Sequence, residues 1–222
     1  MSKAKEILKS WEINSEEWIK IIEGKAIESR KITNKAIVET IEKHSGSKIL
    51  DLGCGEGWLT RELTDRGFEV TGVDATKALI SAARNKGKGN FHHLSYKEIE
   101  SGKTIPESPF DSIVLNFCLY EKNISGLLLE IQNSLVQDGS IFIQSIHPYF
   151  LIQNKLGYKS QWIADSWKGL KGNFKSAHEW YARTMEDWHK EISKSNLHLN
   201  NQIEPLNDQS HPASIIFVLK KH

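Results

Sequence analysis

In this 222-residue chain, the run Leu50-Asp51-Leu52-Gly53-Cys54-Gly55-Glu56-Gly57-Trp58 has the spacing that points to chemistry. An apolar stretch ends in glycines, and a helical pattern follows. Gly53 and Gly55 let the backbone turn tightly and approach a ligand with no side chain in between. Free amides at the start of the next helix make the bend partly positive. The dinucleotide fingerprint is Gly-x-Gly-x-x-Gly, and here its last step is one residue shorter. Asp51 precedes the bend and Glu56 lies within it. Two carboxylates repel a pyrophosphate but tolerate or attract a ligand that carries cationic groups. Asp74 ends the next apolar run, about twenty residues beyond the bend, where an acid accepts hydrogen bonds from ribose hydroxyls. Together these features describe an adenosine-type ligand at the carboxyl ends of parallel strands. Taken singly, the bend can be structural, and Asp74 can cap a helix that starts near Thr76.

Other reactive side chains are scattered. His147 follows the last parallel strand and is the first candidate for a general base, against the alternative of a solvated histidine before a proline. Tyr149, His178, Glu179, Tyr181 and Arg183 form a second group, in which Arg183 could clamp a carboxylate. Near the N-terminus, Arg30, Thr33 and Asn34 fall within about one helical turn. His92 and His93 are adjacent on a strand and point to opposite faces, so they do not share a metal. No tight His/Cys/Asp cluster is present elsewhere, and no metal site is expected.

The elements that must position these residues follow from periodicity. Residues 3–43 read as helix: Trp18, Ile22 and Ala26, then Ile37 and Ile41, recur at helical steps. Ser15 with Glu16 and Glu17 gives a start signal for a second helix, and Gly24 a point of weakness. Strands are expected at 48–52, 69–73, 90–94, 110–115 and 140–144. Helices are expected at 57–66, 76–84 and 125–135, with a turn at Gln137-Asp138-Gly139. Alternating strands and helices specify a parallel sheet covered on both faces, with right-handed crossovers. The alternation stops after Pro148. Residues 149–190 hold Trp162, Trp167, Trp180 and Trp188 among small turns, as an apolar pocket wall does. Trp180 and Trp188 read as core. Residues 184–195 suit one helix, and 197–203 with 214–219 suit an antiparallel hairpin.

Composition narrows the function classes. A net charge of +1 gives no sign of a nucleic-acid partner. The hydrophobic share of 39% and the charged share of 26% mark a globular chain. Cys54 and Cys118 read as reduced thiols rather than a disulfide framework, and the first residues do not form a signal peptide. No apolar run reaches the ~18–20 residues of a membrane span. A cytoplasmic location is the expectation.

The motifs resemble those of the class I S-adenosylmethionine-dependent methyltransferases. Lys48–Glu62 is similar to their first motif and Val73-Asp74-Ala75 to the second. Pro109–Asn116 is similar to the fourth, and Leu135–Ser140 to the turn into strand five. Trp18–Glu23, Ser29–Asn34, Trp180–Trp188 and Glu204-Pro205 resemble segments of bacterial small-molecule members of undefined substrate, with the N-terminal stretch acting as a lid. The resemblance implies a mostly parallel, seven-stranded, doubly wound Rossmann-like α/β sheet with an antiparallel C-terminal hairpin. It implies one domain: helices at 1–46, a cofactor core at 47–146, a substrate-side insert at 147–196 and the hairpin at 197–222. It implies S-adenosylmethionine as cofactor, S-adenosylhomocysteine as product and a small-molecule acceptor. Asp51, Gly53, Cys54 and Gly55 would face the amino-acid end of the cofactor. Asp74 would hold the ribose, and Ala75 would lie beside the adenine. Ser95 and Tyr96 stand where the family often has an adenine-binding aspartate, which is a departure. Asn116 and Phe117 would flank the methyl group, and Arg30, Asn34, Tyr149, Tyr181 and Arg183 would face the substrate. Two other readings remain: a nicotinamide-dependent oxidoreductase on the same core, and a non-catalytic cofactor-binding module. The short glycine spacing and flanking acids weigh against the first, and the intact loop with Asp74 against the second.

Overall fold

Apolar residues on successive strand positions can be buried on both faces only if helices cover both faces of the sheet. The computed structural model, which describes residues 2–221, has this layering. Two helices come first, α1 (Lys3–Glu23) and α2 (Arg30–His44). The core then runs β1 (Lys48–Leu52), α3 (Trp58–Asp65), β2 (Glu69–Asp74), α4 (Lys77–Lys86), β3 (Asn90–His93), α5 (Tyr96–Glu100), β4 (Phe110–Asn116), α6 (Ser125–Ile131) and β5 (Leu135–Ser145). The remainder is α7 (Tyr149–Gln153), β6 (Gln161–Ile163), β7 (Trp180–Ala182), α8 (Met185–Lys194), β8 (Leu197–Ile203) and β9 (Ile215–Lys221). Seven strands form one sheet in the order β3-β2-β1-β4-β5-β9-β8, and β6 pairs with β7 separately. The first five sheet strands are parallel, while β9 and β8 are antiparallel.

Strand alternation sorts the core into two layers. Leu50, Leu52, Ile113, Leu115, Ile141 and Ile143 pack with α6 and α8 residues on one face. Ile49, Val114, Phe142, Ile216 and Val218 pack with α2 and α3 residues on the other. The strand order reverses at β1, whose neighbours are β2 and β4. The crevice outside the strand ends at such a switch point is where an open α/β sheet takes its ligand.

Four expectations need correction. Ser15 does not start a helix. It lies buried inside α1, where its hydroxyl donates to the Glu12 carbonyl, and the break falls at Gly24, which leaves Ala26 in the connecting turn. Gln137–Gly139 is not a turn before β5. The strand already begins at Leu135, paired with Phe110, and the next pair is Ser112 with Ser140, so the intervening residues bulge within it. The helix expected to reach Leu135 ends at Ile131 and closes with one 3-10 turn. Of the two tryptophans expected in the core, Trp188 is buried, whereas Trp180 keeps partial exposure and lines a cleft.

Candidate cofactor and acceptor site

The glycine bend is tied to its neighbours by backbone bonds. The Gly53 and Cys54 amides both donate to the Val73 carbonyl, at 2.7 and 3.0 Å, which fixes the bend against the end of β2. Gly53 and Gly55 have φ of +84° and +58°, a region that favours glycine. A Cβ on Gly53 would stand 2.6 Å from the Cys118 Cβ and 2.8 Å from the Tyr96 hydroxyl. A Cβ on Gly55 would meet nothing within 4 Å. One glycine is thus demanded by close packing, and the other borders open space on the ligand side.

Asp74 spans the recess. Its Oδ2 accepts the Gly55 amide at 2.9 Å and its Oδ1 the Thr76 amide at 2.7 Å. A carboxylate has about four lone-pair positions, so about two remain for ribose hydroxyls. Burial raises the Asp74 pKa above the ordinary value, against the pull of the Thr76 and Gly55 amides. Asp51 is deeply buried and bonded by the Thr60 hydroxyl at 2.8 Å. Desolvation pushes it up to about 7, with the negative charge of Asp74 adding to the shift. Glu56 is also buried, and burial works against its charge. Lys86 at 2.8 Å and Arg61 at 2.6 Å outweigh that effect and hold it below the usual range. Glu56 is thus already paired with cations, while Asp51 and Asp74 are bonded by hydroxyl and amide donors, and their charged forms suit a ligand bearing an ammonium and a sulfonium.

Around this centre, Ala75, Tyr96, Asn116 and Phe117 are half-buried at the carboxyl ends of the strands or just beyond them. The Asn116 Oδ1 is buried and has no hydrogen-bond partner among the described residues. Phe117 has φ of +52°, strained for an aromatic residue, and its amide donates to the Gln144 carbonyl. Ser95 is engaged locally: it caps α5 in a capping box with Glu98.

The residues expected to face the substrate separate into two places. His147, Tyr181 and Arg183 line a cleft at the end of β5 together with Phe150 and Trp180. Arg183 is buried. Its Nη2 donates to the Glu121 and Lys122 carbonyls, and its guanidinium lies over the Tyr181 and Trp188 rings. Desolvation lowers its pKa to about 10. His147 Nδ1 accepts the Tyr149 amide at 2.9 Å, so Nε2 holds the proton and points at Glu204, 3.4 Å away. Burial lowers the His147 pKa, and Glu204 opposes that. Tyr149 itself packs on His211 rather than lining the cleft. Arg30 stands elsewhere, with its guanidinium 4.8 Å over the Trp58 ring at the start of α3 and beside the glycine bend. Burial lowers its pKa, partly offset by Glu56. Asn34 lies one turn further along α2 and half-buried.

Helix α1 covers the recess. Glu12 Oε1 accepts the Lys77 amide at the start of α4. Asn14 brackets Lys175 of the insert, accepting its amide at 2.7 Å and donating to its carbonyl at 2.6 Å. Ser10 accepts the Trp167 indole N–H at 3.0 Å, and Lys3 pairs with Glu179. Trp11 contacts Trp18, Tyr120, Trp167 and His178. Motif reading did not single out Trp11, Glu12 or Tyr120. Tyr120 was within its reach, because it closely follows Asn116 at the end of β4.

A parallel sheet with a glycine bend after β1 and an acid at the end of β2 defines a nucleoside-binding Rossmann-like domain. The family signature of the methyltransferase domain matches residues 43–211. A demethylmenaquinone methyltransferase of Tropheryma whipplei is 26% identical over 148 residues, covering 66% of this chain and 62% of that protein. The chain thus spans under two thirds of the length of that curated relative. A methyltransferase structure from Mesorhizobium loti superposes with TM-score 0.63 at 16% identity, covering 84% of this chain and 96% of the other. The 1,6-didemethyltoxoflavin-N1-methyltransferase of Burkholderia thailandensis, solved with its substrate and S-adenosylhomocysteine, superposes with TM-score 0.67 at 14% identity, covering 100% and 91%. These two likenesses concern the fold. By its family match, fold and site, the chain belongs to the class I S-adenosylmethionine-dependent methyltransferases.

Proposed function

We propose that this protein transfers a methyl group from S-adenosylmethionine to a small-molecule acceptor in the cytoplasm, as a single methyltransferase domain. The observation that carries the reading is the Gly55–Asp74 pair: an open-sided glycine bonded to a carboxylate that keeps lone pairs for a ribose. When bound, the cofactor supplies an electrophilic methyl on a sulfonium. The chain's own residues hold and orient. Asp74 grips the ribose, and the backbone of Gly53, Cys54 and Gly55 lies along the amino-acid portion. Asp51 in its charged form favours its positive charge, whereas Glu56 is held by Lys86 and Arg61. Arg30 is a half-buried guanidinium whose contact is the Trp58 ring, and it is placed to take the methionyl carboxylate. Ala75 and Tyr96 flank the adenine, and Asn116 and Phe117 border the methyl. The covering of α1 and the insert excludes water, and in-line positioning supplies much of the rate.

Isothermal titration tests this reading. S-adenosylhomocysteine should bind the wild-type protein, and Gly55→Val should abolish binding by filling the open space with a strained residue. Binding of NADH in its place would overturn the assignment.

A further inference from the structure

Beside the cofactor recess, three rings from three separate elements meet: Trp11 of α1, Tyr120 after β4, and His178 just before β7. Ring centroids lie 5.3 Å apart for Tyr120 and His178, 6.0 Å for Trp11 and Tyr120, and 6.3 Å for Trp11 and His178. Trp167 backs them, edge-on to both Trp11 and His178. Trp11 and Tyr120 keep partial exposure, whereas His178 is only 4% exposed. The Tyr120 hydroxyl donates to the Phe117 carbonyl at 2.7 Å, so Tyr120 offers its ring and not its oxygen. Burial moves the Tyr120 pKa well above the ordinary value, and the charges of Cys118 and Asp74 add to the shift.

Among the described residues, two polar atoms in this cluster have no hydrogen-bond partner: Trp11 Nε1 and His178 Nε2. Each buried, unsatisfied nitrogen costs about 1–3 kcal/mol, so two in one place need a reason. The other edge of His178 is held. Its Nδ1 lies 3.0 Å from the Ser166 hydroxyl, which also accepts the His178 amide at 3.3 Å. An Nδ1–H given to Ser166 leaves the lone pair on Nε2. The rings of this cluster offer flat faces to a planar ligand.

We propose that Trp11, Tyr120 and His178 form the acceptor receptor, that the acceptor is a flat aromatic or heteroaromatic molecule with an O–H or N–H at its edge, and that His178 Nε2 takes its proton. This rests on the methyltransferase reading above. Trp11 Nε1–H donates to an edge acceptor atom, and His178 Nε2 accepts from the nucleophilic O–H or N–H. That oxygen or nitrogen bonds to the methyl carbon, the C–S electron pair returns to sulfur, and the proton passes to Nε2 and then to water. His178, outside the first-choice base position at His147, is then a catalytic residue.

The test uses the full chain saturated with S-adenosylhomocysteine and 6-hydroxyquinoline as probe. Calorimetry should show the quinoline binding, and Trp11→Phe and His178→Phe should each weaken it at least ten-fold. Affinity for S-adenosylhomocysteine should change less than two-fold in both variants, which also shows that they are folded. In nitrogen-15 histidine spectra at pH 7, His178 Nε2 should be unprotonated and should shift on adding the probe. Absence of quinoline binding, equal binding by the variants, or a protonated Nε2 would each overturn the proposal. Failure of the wild type to bind S-adenosylhomocysteine would instead remove the cofactor reading, and the histidine spectrum would still decide the receptor.

Discussion

The Gly55 amide and the Asp74 carboxylate are joined across the cofactor recess by a 2.9 Å hydrogen bond, so the residue that shapes the bend also orients the acid that meets the sugar. The second oxygen of Asp74 is fixed by the Thr76 amide at the entry to α4. Removing the carboxylate therefore acts twice. Asp74→Ala should weaken S-adenosylhomocysteine binding by about 1.5–3 kcal/mol, the scale of hydrogen bonds to a charged group. It should also lower the melting temperature in the absence of ligand. Asp74→Asn keeps one acceptor oxygen and should fall between the two. Titration calorimetry and thermal melts measure both effects, and unchanged binding in the alanine variant would remove Asp74 from the ribose role.

Asp51 makes a pH prediction. Its folded value is raised from 3.8 to about 7 by desolvation. The folded state then holds a proton that the unfolded state has released, over roughly pH 4–7. Stability falls as pH rises through that window and stays low above it. Asp51→Asn keeps an acceptor for the Thr60 hydroxyl and removes the buried charge. It should stabilise the protein at pH 8 by at most ~4 kcal/mol and have little effect at pH 4, with three pKa units setting the upper bound. Denaturant unfolding at the two pH values decides this, and an equal change at both would exclude Asp51 as the source.

The parallel core was legible because each strand is an apolar run closed by a turn, and because the glycine bend and Asp74 sit at fixed steps from the first run. Other features depended on contacts that local pattern does not carry. Ser10, Asn14 and Ser15 form much of the docked side of α1, so a search for apolar periodicity places that side poorly. The bulge in β5 depends on which β4 residue faces Leu135. Helical spacing puts Arg30 and Asn34 on one side of α2, but only the tertiary fold sets Arg30 against Trp58. His147 was placed correctly at the end of β5, yet its protonation pattern depends on Tyr149 and Glu204 together.

Asn14 holds α1 to the insert through both the amide and the carbonyl of Lys175, and it is only 2% exposed. Asn14→Ala leaves both backbone groups unpaired and should destabilise this contact by about 2–4 kcal/mol. Hydrogen exchange should accelerate in residues 3–23 and 164–179 and stay unchanged in β1 and β4. A uniform acceleration across the chain would mean that α1 and the insert do not open separately from the core.

His147 Nδ1 takes the Tyr149 amide at the first turn of α7, a helix-capping contact. His147→Ala should lower stability by about 1 kcal/mol, the usual loss of a cap, and His147→Asn should restore most of it. Neither should alter S-adenosylhomocysteine affinity. Once an acceptor is in hand, a turnover loss that His147→Asn does not repair would return His147 to the role of base.

Arg30 separates two ligands that share an adenosine. 5′-Methylthioadenosine has the ribose and adenine but lacks the amino-acid carboxylate of S-adenosylhomocysteine. The Arg30 guanidinium lies over Trp58 at the glycine bend, and its charge is favoured by Glu56. A guanidinium in that place gains a charge-assisted bond only from the ligand that carries the carboxylate. Arg30→Gln should therefore weaken S-adenosylhomocysteine about ten-fold, roughly 1.4 kcal/mol, and leave methylthioadenosine affinity unchanged. Equal weakening of both ligands would mean that Arg30 acts by supporting the bend through Trp58, and no change in either would return it to the substrate side.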